Sequence, residues 1–401
     1  MSQSSTDPRY MKAPPKKAFR LSWRDERVRS IVWQVLIVGV VVAIVWWLAS
    51  NTARNLEVRR IATGFGFLGR EAGLPIGEHL IEYSPTSTYF RALSVGVLNT
   101  LKVAVVGVIL ATVFGTLLGI ARLSKNWLLG KIAAVYVEVV RDVPLLLQLL
   151  FWYTIMQGLP APRQSLNPAT GVFLSNRGLK LPWVEWTSAH DWALLGLVVG
   201  VIGTWFYARA ARAKQMQDGQ PRRVWPVGLG LVVGLPVLIW AVLGAPFTPD
   251  IPALRGFNFQ GGITVSPEYF ALLLGLVMYT SAFIAEIVRA GITSVPLGQW
   301  EAAQALGLRP GMMLRRIILP QALRVIIPPL TSQYLNLAKN SSLAAAIGYP
   351  DMVSLFAGTV LNQTGQAIET MAITMSVYLA ISISISLLMN WYNKHIALVE
   401  R

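Results

Sequence analysis

Long apolar stretches recur along the chain and are separated by short polar or basic segments. A helix needs about 20 apolar residues to cross the hydrocarbon core of a bilayer, and a window search for such stretches predicts eight helices. They cover residues 31–49, 92–120, 128–156, 192–208, 225–244, 269–288, 325–338 and 371–392. The first follows a basic tail and is longer than the apolar region of a signal peptide, so we predict a retained anchor helix.

The composition favours a membrane protein over a set of soluble domains. Hydrophobic residues fill 54% of the 401 positions and charged residues only 13%, which is too few for a soluble surface. Cysteine is absent, which excludes disulfides, thiol nucleophiles and cysteine metal sites. The histidines His79, His190 and His395 are far apart in sequence, so no metal site is predicted. The predicted fold class is an all-α membrane protein with about eight transmembrane helices.

Basic residues are distributed unevenly between the two sides of the predicted spans. A formal net charge of +16 would suggest nucleic-acid binding in a soluble protein. With a cytoplasmic N-terminus, however, 23 of the 35 basic residues fall on the cytoplasmic side and nine on the other, while Lys102, Arg141 and Lys339 fall within spans. This is the positive-inside pattern, so both termini are predicted to be cytoplasmic and no nucleic-acid partner is expected.

Two outer segments and one helix face carry further information. Residues 52–90 contain apolar pieces too short to span, which are predicted to lie along the outer membrane interface. Residues 158–190 are predicted to be an irregular segment with tryptophan anchors at the headgroup level. The second span has a ridge of small residues that allows close helix packing, within the chain or with another subunit. The ridge consists of Gly107, Ala111, Gly115 and Gly119.

The cytoplasmic segment 298–320, between the sixth and seventh spans, has the pattern of two short helices. The first begins near Gln299 and is predicted to end at Gly307, because glycine suits the C-terminal end of a helix. Pro310 suits the first turn of a second helix, which Pro320 is predicted to close. Two short helices that meet at a glycine form a rigid wedge, suited to docking into a groove on another protein.

This segment resembles the EAA loop of ABC importer permeases at every fixed position. The pattern is Glu-Ala-Ala, three residues, Gly, nine residues, and then Ile-x-Leu-Pro. The resemblance implies that the alanines allow close approach of an ATPase, that the glutamate meets a basic residue on it, and that the glycine provides the bend. The implied coupling residues are Gly298, Glu301, Ala302, Ala303, Gly307 and Pro320. An amphipathic loop lying on the membrane is the alternative interpretation.

Neighbouring segments resemble the polar amino-acid permeases of that family. The matching segments are 99–101, 279–291, 320–324, 328–330, 339–343 and 136–148, the last with the element Arg-x-x-Pro-Leu-Leu-x-Gln. They cover spans two, three, six, seven and eight, the five-helix core of a type I ABC importer permease. Asn340-Ser341 stands where the family more often has Asp-Thr, and Asp142-Val143 where it often has Gly-Thr.

The layout around this core is similar to the larger permease subunit of general L-amino-acid transporters. A basic cytoplasmic tail (1–30) precedes an extra span with an outer interfacial segment (31–91) and core spans two and three (92–157). An insertion with a transmembrane hairpin (158–266) then precedes core spans six to eight with the coupling loop (267–401). An even number of inserted spans preserves the sidedness of the core.

The resemblance implies a transport subunit rather than an enzyme. It implies ATP-driven import of polar L-amino acids, acidic amino acids and their amides among them, across a bacterial inner membrane. The expected partners are ABC ATPase subunits, a second related permease in a heterodimer, a periplasmic amino-acid-binding protein and the lipid bilayer. The chain contains no Gly-x-x-x-x-Gly-Lys-Ser/Thr sequence, so we expect the partner ATPase to bind ATP and this chain to hold no cofactor.

Ionisable residues within the spans are candidates for the substrate pathway. A zwitterionic amino acid needs a cation near its carboxylate and an anion near its amine. The candidates for these roles are the cations Arg141 and Lys339, the anions Glu138, Asp142 and Glu286, and the polar residue Gln148. Alternatively, Glu138–Arg141 and Glu286–Arg289 neutralise each other as intrahelical bridges, and Gln148 makes an interhelical hydrogen bond.

Two other functions remain open at this point. An ion-coupled secondary transporter would account for charges within spans, but it predicts inverted repeats and paired broken helices that the sequence does not display. A non-transporting membrane scaffold would also use small-residue helix faces, but it has no need of charges in the middle of its spans.

Overall fold

The structure is a computed structural model that describes residues 26–58, 63–220 and 222–396. The chain divides into two units, residues 1–64 and 65–401. In the first unit the described chain forms one long helix, α1 (Glu26–Val58), whose apolar side chains are mostly exposed. Its length and hydropathy are sufficient to cross a membrane, as predicted for the first span.

The described part of the second unit is mainly helical, as the apolar pattern predicts. Its α-helices are α2 (Tyr89–Arg122), α3 (Trp127–Asp142), α4 (Leu145–Gln157), α5 (Ser188–Asp218), α6 (Trp225–Leu229), α7 (Leu235–Val242), α8 (Pro267–Thr293), α9 (Leu297–Ala305), α10 (Pro310–Met313), α11 (Leu319–Asn340), α12 (Leu361–Thr364) and α13 (Ala367–Ile396). Three π-helical segments (Gly230–Gly234, Leu314–Ile318, Val353–Val360) and three 3-10 helices (Phe65–Gly69, Pro162–Gln164, Ser341–Ile347) connect or extend them.

Six described helical segments are long and apolar enough to cross a membrane. They are Val28–Val58, Tyr89–Arg122, Ser188–Asp218, Trp225–Val242, Pro267–Thr293 and Ala367–Lys394. The seventh predicted span corresponds to α11, which begins at Leu319 rather than Val325. Because α11 includes several polar residues, it does not belong to the strongly apolar set.

The prediction of one continuous third span over residues 128–156 is wrong. The structure has two shorter helices there, α3 and α4, which are separated at Val143 and Pro144. Pro144 lacks a backbone N–H and restricts the residue before it to extended conformations. Val143 accordingly has φ −90° and ψ 126°, so the helix stops in the middle of the apolar stretch.

The centre of the second unit is the contact between α2 and α8. A Cβ atom on Gly115 would lie 2.8 Å from the Ser281 carbonyl oxygen, and one on Gly119 would lie 2.8 Å from the Ala285 carbonyl oxygen. Both glycines therefore face α8 at a distance that excludes any side chain. The ridge of small residues on α2 serves packing within the chain, which decides between the two interpretations of its sequence.

Residues 65–88, which we call the outer strap, pack on the helices. Phe67 is only 2% exposed and Leu74 is also buried, both in a cluster with α2 and the π-helical segment Val353–Val360. The Tyr83 hydroxyl donates to the Leu74 carbonyl oxygen at 3.0 Å, and burial, with Tyr89 nearby, raises the pKa of Tyr83 so that it stays a donor. These apolar pieces contribute to the protein's own core, and their location at the membrane interface stays a prediction.

The insertion contains β-structure that the sequence analysis missed. Its strands are β1 (Leu166–Ala169), β2 (Val172–Ser175), β3 (Gly178–Leu181), β4 (Trp183–Val184), β5 (Pro249–Asp250), β6 (Ala253–Arg255), β7 (Asn258–Gln260) and β8 (Ile263–Val265). They form an antiparallel sheet in the order β1-β2-β3-β8 and two pairs, β4–β5 and β6–β7. The expectation of an irregular segment over 158–190 is therefore wrong. Strand β3 pairs with residues that follow the hairpin, for example Leu179 with Val265. A local sequence pattern does not show such distant strand partners.

Two helical glycines with different surroundings test the α2–α8 contact. We expect Gly115→Ala to lower the thermal unfolding temperature of the purified protein, because the new methyl group needs the α8 backbone to move and overpacking costs about 1–3 kcal/mol. Gly130→Ala in α3 is the matched control. Its methyl group would meet only carbonyl oxygens at 3.7 Å or more, and alanine favours the helix, so the unfolding temperature should stay or rise. Equal effects of the two substitutions would contradict this packing.

Candidate functional site

The segment predicted to be a wedge begins with α9, which ends at Gly307. The Gly307 backbone has φ +67°, in the left-handed region that glycine adopts without strain. Its N–H donates to the Gln304 carbonyl oxygen at 2.9 Å, and the Leu308 N–H donates to that of Ala303 at 3.2 Å. These two hydrogen bonds form a Schellman motif. The predicted helix end at Gly307 is confirmed.

The second half of this segment is not a separate short helix. α10 begins at Pro310 as predicted, but the chain continues through the π-helical turn Leu314–Ile318 into α11. Pro320 lies in the first turn of α11, so the prediction that it closes a helix is wrong. The Leu319 N–H bonds five residues back to Leu314, and this wider pattern lets the helix continue past a residue without an N–H.

Helix α9 has one buried face and one exposed face. Ala303 is buried in a cluster with Val295 and Met313, and Trp300 packs against the same cluster. The expectation that both alanines allow a partner to approach is therefore wrong for Ala303, which serves the chain's own core. The exposed residues of this segment include Gly298, Glu301, Ala302 and Leu306, the last being 77% exposed. The segment is thus anchored on one side and free on the other.

Glu286 links α8 to α2 near the end of α8 that leads to α9. Its Oε2 atom is ion-paired with Arg122, and its Oε1 atom lies 2.6 Å from Nη2 of Arg289. The intrahelical ion pair between Glu286 and Arg289, one of the two alternatives given in the sequence analysis, is present. The pairing with Arg122 was not predicted, although both residues lie in long apolar helices where an unpaired charge is costly.

Three of the charged residues predicted to line the pathway lie on the exposed surface of α3. Glu138, Arg141 and Asp142 are all exposed, near the break between α3 and α4. The Arg141 guanidinium lies 5.1 Å from the centre of the Phe283 ring, a cation–π contact with α8. Among the described residues no ion pair joins Glu138 to Arg141, so the alternative of an intrahelical bridge does not apply to this pair.

Gln148 holds the break between α3 and α4 together. Its Nε2 atom donates to the carbonyl oxygens of Val140 at 2.9 Å and Val143 at 3.0 Å. Carbonyls at the C-terminal end of a helix have no partner within the helix, so this buried amide replaces the hydrogen bonds that Pro144 interrupts. Of the two interpretations of Gln148, the structure supports the hydrogen bond between helices.

Lys339 lines a cavity of about 810 Å³ between α11 and α13. Ser342, Ser376, Tyr378 and Ser382 contribute hydroxyl groups to the same cavity. A cation surrounded by hydroxyl groups suits a carboxylate ligand. The structure thus places Lys339 at a largely apolar cavity that also carries several hydroxyl groups, and it does not bring Lys339 into contact with Glu138, Asp142 or Glu286.

Sequence reasoning missed Asp351, which adjoins this cavity. Its side chain is fully buried and accepts hydrogen bonds from the Tyr378 hydroxyl at 3.0 Å and the Ser354 N–H at 2.8 Å. The available signal was its isolation, because it is the one charged residue within 343–360. A single carboxylate in an apolar stretch indicates a specific partner.

Lys102, in the middle part of α2, is also paired. Its Nζ atom lies 2.6 Å from Oε1 of Glu78 in the outer strap and 4.0 Å from the centre of the Tyr269 ring. The other oxygen of Glu78 accepts from Ser266, which also caps the N-terminus of α8. This cluster joins the strap, α2 and α8, and it was missed because Glu78 lies 24 residues from Lys102 in sequence.

These features define a multi-span membrane protein whose paired charges tie its helices together and whose surface carries an exposed helical wedge. The family described as binding-protein-dependent transport system inner membrane component matches residues 222–398. The amino-acid ABC transporter permease protein YhdX of Escherichia coli K12 is 54% identical over 95% of this chain and 97% of its own length. The general L-amino acid transport system permease protein AapQ of Rhizobium johnstonii is 50% identical, with 96% of each chain covered.

A third relative, BztB of Rhodobacter capsulatus, is a glutamate/glutamine/aspartate/asparagine transport system permease protein. It is 43% identical over 97% of this chain and 99% of its own length. The chain belongs to this family of amino-acid ABC importer permeases. It is an inner-membrane transport component rather than an enzyme, and membership implies an ATPase and a substrate-binding protein as partners.

Replacing Gln148 distinguishes a structural role from a role in the pathway. We expect Gln148→Leu to lower the free energy of unfolding by about 1–3 kcal/mol, because two carbonyl groups at the end of α3 lose their buried donor. Thermal unfolding of the purified protein measures this loss. Gln217→Leu, at an exposed position of α5, is the control and should leave the unfolding temperature nearly unchanged. An unchanged unfolding temperature in Gln148→Leu with altered transport would instead favour the pathway role.

Proposed function

We propose that this chain is one half of a heterodimeric permease that imports polar L-amino acids, acidic amino acids and their amides among them. The observation that carries the proposal is the wedge formed by α9, Gly307 and α10, which is anchored in the protein on one face and exposed on the other. The names of AapQ and BztB support the substrate class. ATP binds to the partner ATPase, and this chain needs no cofactor of its own.

The exposed face of α9 is the proposed docking surface for the ATPase. Glu301 offers a carboxylate to a basic residue, and Ala302 lets the partner's backbone approach closely. The buried face, through Ala303, packs with Met313 and so connects α9 to the helical run that continues into α11. Movement of the ATPase is thereby transmitted to α11 and α8 rather than absorbed by a flexible loop, and it alternates access to the pathway.

A second, related permease covers the exposed charges of α3. Glu138, Arg141 and Asp142 lie about halfway along the α3–α4 pair, where contact with lipid would be costly. A protein partner, or the water-filled pathway between two permeases, removes that cost. The same arrangement leaves Arg141 and Lys339 as the proposed contacts for a substrate carboxylate, with Glu138 or Asp142 for its amine. Glu286, already paired on both oxygens, is the weaker candidate.

Both termini are proposed to lie in the cytoplasm, with the outer strap and the inserted strands on the opposite side. The excess of basic residues on the wedge side supports this orientation. The substrate-binding protein then delivers amino acids to the outer side, and the wedge faces the ATPase. An ion-coupled transporter or a scaffold protein would have no use for this wedge.

Substituting the glycine at the wedge tests the coupling. We expect Gly307→Asp to abolish ATP-driven uptake while the permease remains inserted, because an aspartate is strained at φ +67° and adds a charge at the docking surface. Gly219→Asp is the matched control. It has the same φ of +67°, at the end of α5, with open space around it as at Gly307, and it should retain uptake. Normal uptake with Gly307→Asp and Glu301→Lys would contradict the assigned role of the wedge.

Removing the two candidate cations tests the substrate contacts. We expect Arg141→Ala and Lys339→Ala to raise the half-saturating amino-acid concentration by about 10- to 100-fold, since a hydrogen bond to a charged group contributes about 1.5–3 kcal/mol. Uptake titrations in reconstituted vesicles measure this change. Lys394→Ala, at the exposed end of α13, is the control and should leave the value unchanged. Unchanged titrations in both test variants would place the substrate on the partner permease.

A further inference from the structure

An apolar pocket of about 690 Å³ lies where the inserted hairpin meets the strands. One wall is the beginning of α5, with His190 and Ala193, and the other is the end of α7, with Val237 and Trp240. The pair β4–β5 and the segment before it complete the pocket with further apolar side chains. These include Pro182, Trp183, Trp186, Phe247 and Pro249.

The pocket lies at one end of the hairpin formed by α5 and the α6–α7 run, an end that we assign to the membrane edge. α5 and the α6–α7 run are both long and apolar enough to span, and the pocket uses the first two turns of one and the last two turns of the other. Tryptophan is the residue most typical of this level, because its ring is apolar and its indole N–H is polar. Trp183 and Trp186 are each about half exposed, at 49% and 55%, so the pocket presents aromatic surface.

The lining of the pocket is almost wholly apolar, and two of its polar atoms have partners within the protein. The Trp186 indole N–H donates to Oδ1 of Asp191 at 2.8 Å, and Nδ1 of His190 hydrogen-bonds the Thr187 hydroxyl at 2.9 Å. A polar ligand would lose its hydrogen bonds to water here without gaining others. Burial here lowers the free energy of a hydrocarbon chain, which has no hydrogen bonds to water to lose. The lining therefore favours an apolar occupant.

The edge of the pocket carries negative charge. Glu185 lies between two lining residues, Val184 and Trp186, and Asp191 holds the Trp186 indole. Both carboxylates are exposed, and Glu185 uses Oε2 to accept a hydrogen bond from Thr248. An ammonium group above the pocket would be attracted to them, whereas an anionic group would be repelled.

We propose that this pocket binds one phospholipid with an ammonium headgroup, its acyl chain between the tryptophans and its amine beside Glu185 and Asp191. The pocket is open to the surroundings, and side chains of the strands and of two helices line it together, which suits one bound lipid chain. The site is separate from the wedge, so it stands or falls independently of the transport assignment.

Filling the pocket tests whether a lipid is bound specifically. The protein is purified in mild detergent with its partners from vesicles containing phosphatidylethanolamine, and retained lipid is counted by native mass spectrometry. We expect one retained phosphatidylethanolamine, reduced at least fivefold by Ala193→Phe, which fills the pocket from α5. Leu195→Phe, on the opposite and exposed face of the same helix, should retain it fully. Equal retention in the two variants would overturn the proposal.

A second substitution keeps the test valid if Ala193→Phe unfolds the hairpin. Trp183→Ala removes an exposed indole from β4 without adding volume, and it should also lower retention several-fold at an unchanged unfolding temperature. Full retention of the lipid by this variant would likewise overturn the proposal.

Removing the charges at the edge tests the headgroup. In competition between phosphatidylethanolamine and phosphatidylglycerol, we expect the native protein to retain the amine lipid at least tenfold over the anionic one. The double variant Glu185→Gln, Asp191→Asn should bring this ratio close to one, because it removes both negative charges. The local structure should be kept, since each amide can still accept its hydrogen bond from Thr248 or Trp186. Equal retention of both lipids by the native protein, or an unchanged ratio in the variant, would contradict the role of these carboxylates.

Discussion

The close approach of α2 and α8 is the contact on which the rest of the second unit depends. Gly115 and Gly119 bring the α2 backbone against carbonyl groups of α8, at distances that no other residue type permits. In a membrane, where burial of apolar surface does not drive helices together, such van der Waals contact is a main source of association. α3, α4, α11 and the outer strap then pack around this pair.

Ionic contacts hold the same pair at two levels, one at each end of α8. Glu78 joins Lys102 of α2 to Ser266 at the start of α8, and Glu286 of α8 pairs with Arg122. Twenty residues separate the two levels on each helix, which corresponds to about 30 Å of α-helix and matches the thickness of the hydrocarbon core. The sequence placed Lys102 inside a span. Its pairing with Glu78 places the ammonium group at the level where α8 begins, and this pairing reduces the cost of a charge within a span.

Features governed by neighbours in sequence were predictable, and features governed by distant partners were not. The helix end at Gly307 follows from a local requirement for positive φ, so the spacing of the loop was sufficient to find it. The break at Pro144 is stabilised by Gln148, and the strand of Leu179 pairs with residues beyond the hairpin, so hydropathy alone missed both. The burial of Phe67 in the protein's own core was not predicted, because apolar composition cannot distinguish lipid from a protein core.

A rigid α2–α8 pair joined to an exposed wedge is suited to receiving motion from a partner. Uptake of radiolabelled glutamate into vesicles that contain the assembled complex, its binding protein and its ATPase measures this most directly. We expect accumulation only with hydrolysable ATP on the ATPase side, and no loss when ionophores collapse the ion gradients. Uptake that continues with a non-hydrolysable analogue and disappears when the gradients collapse would contradict ATP-driven import.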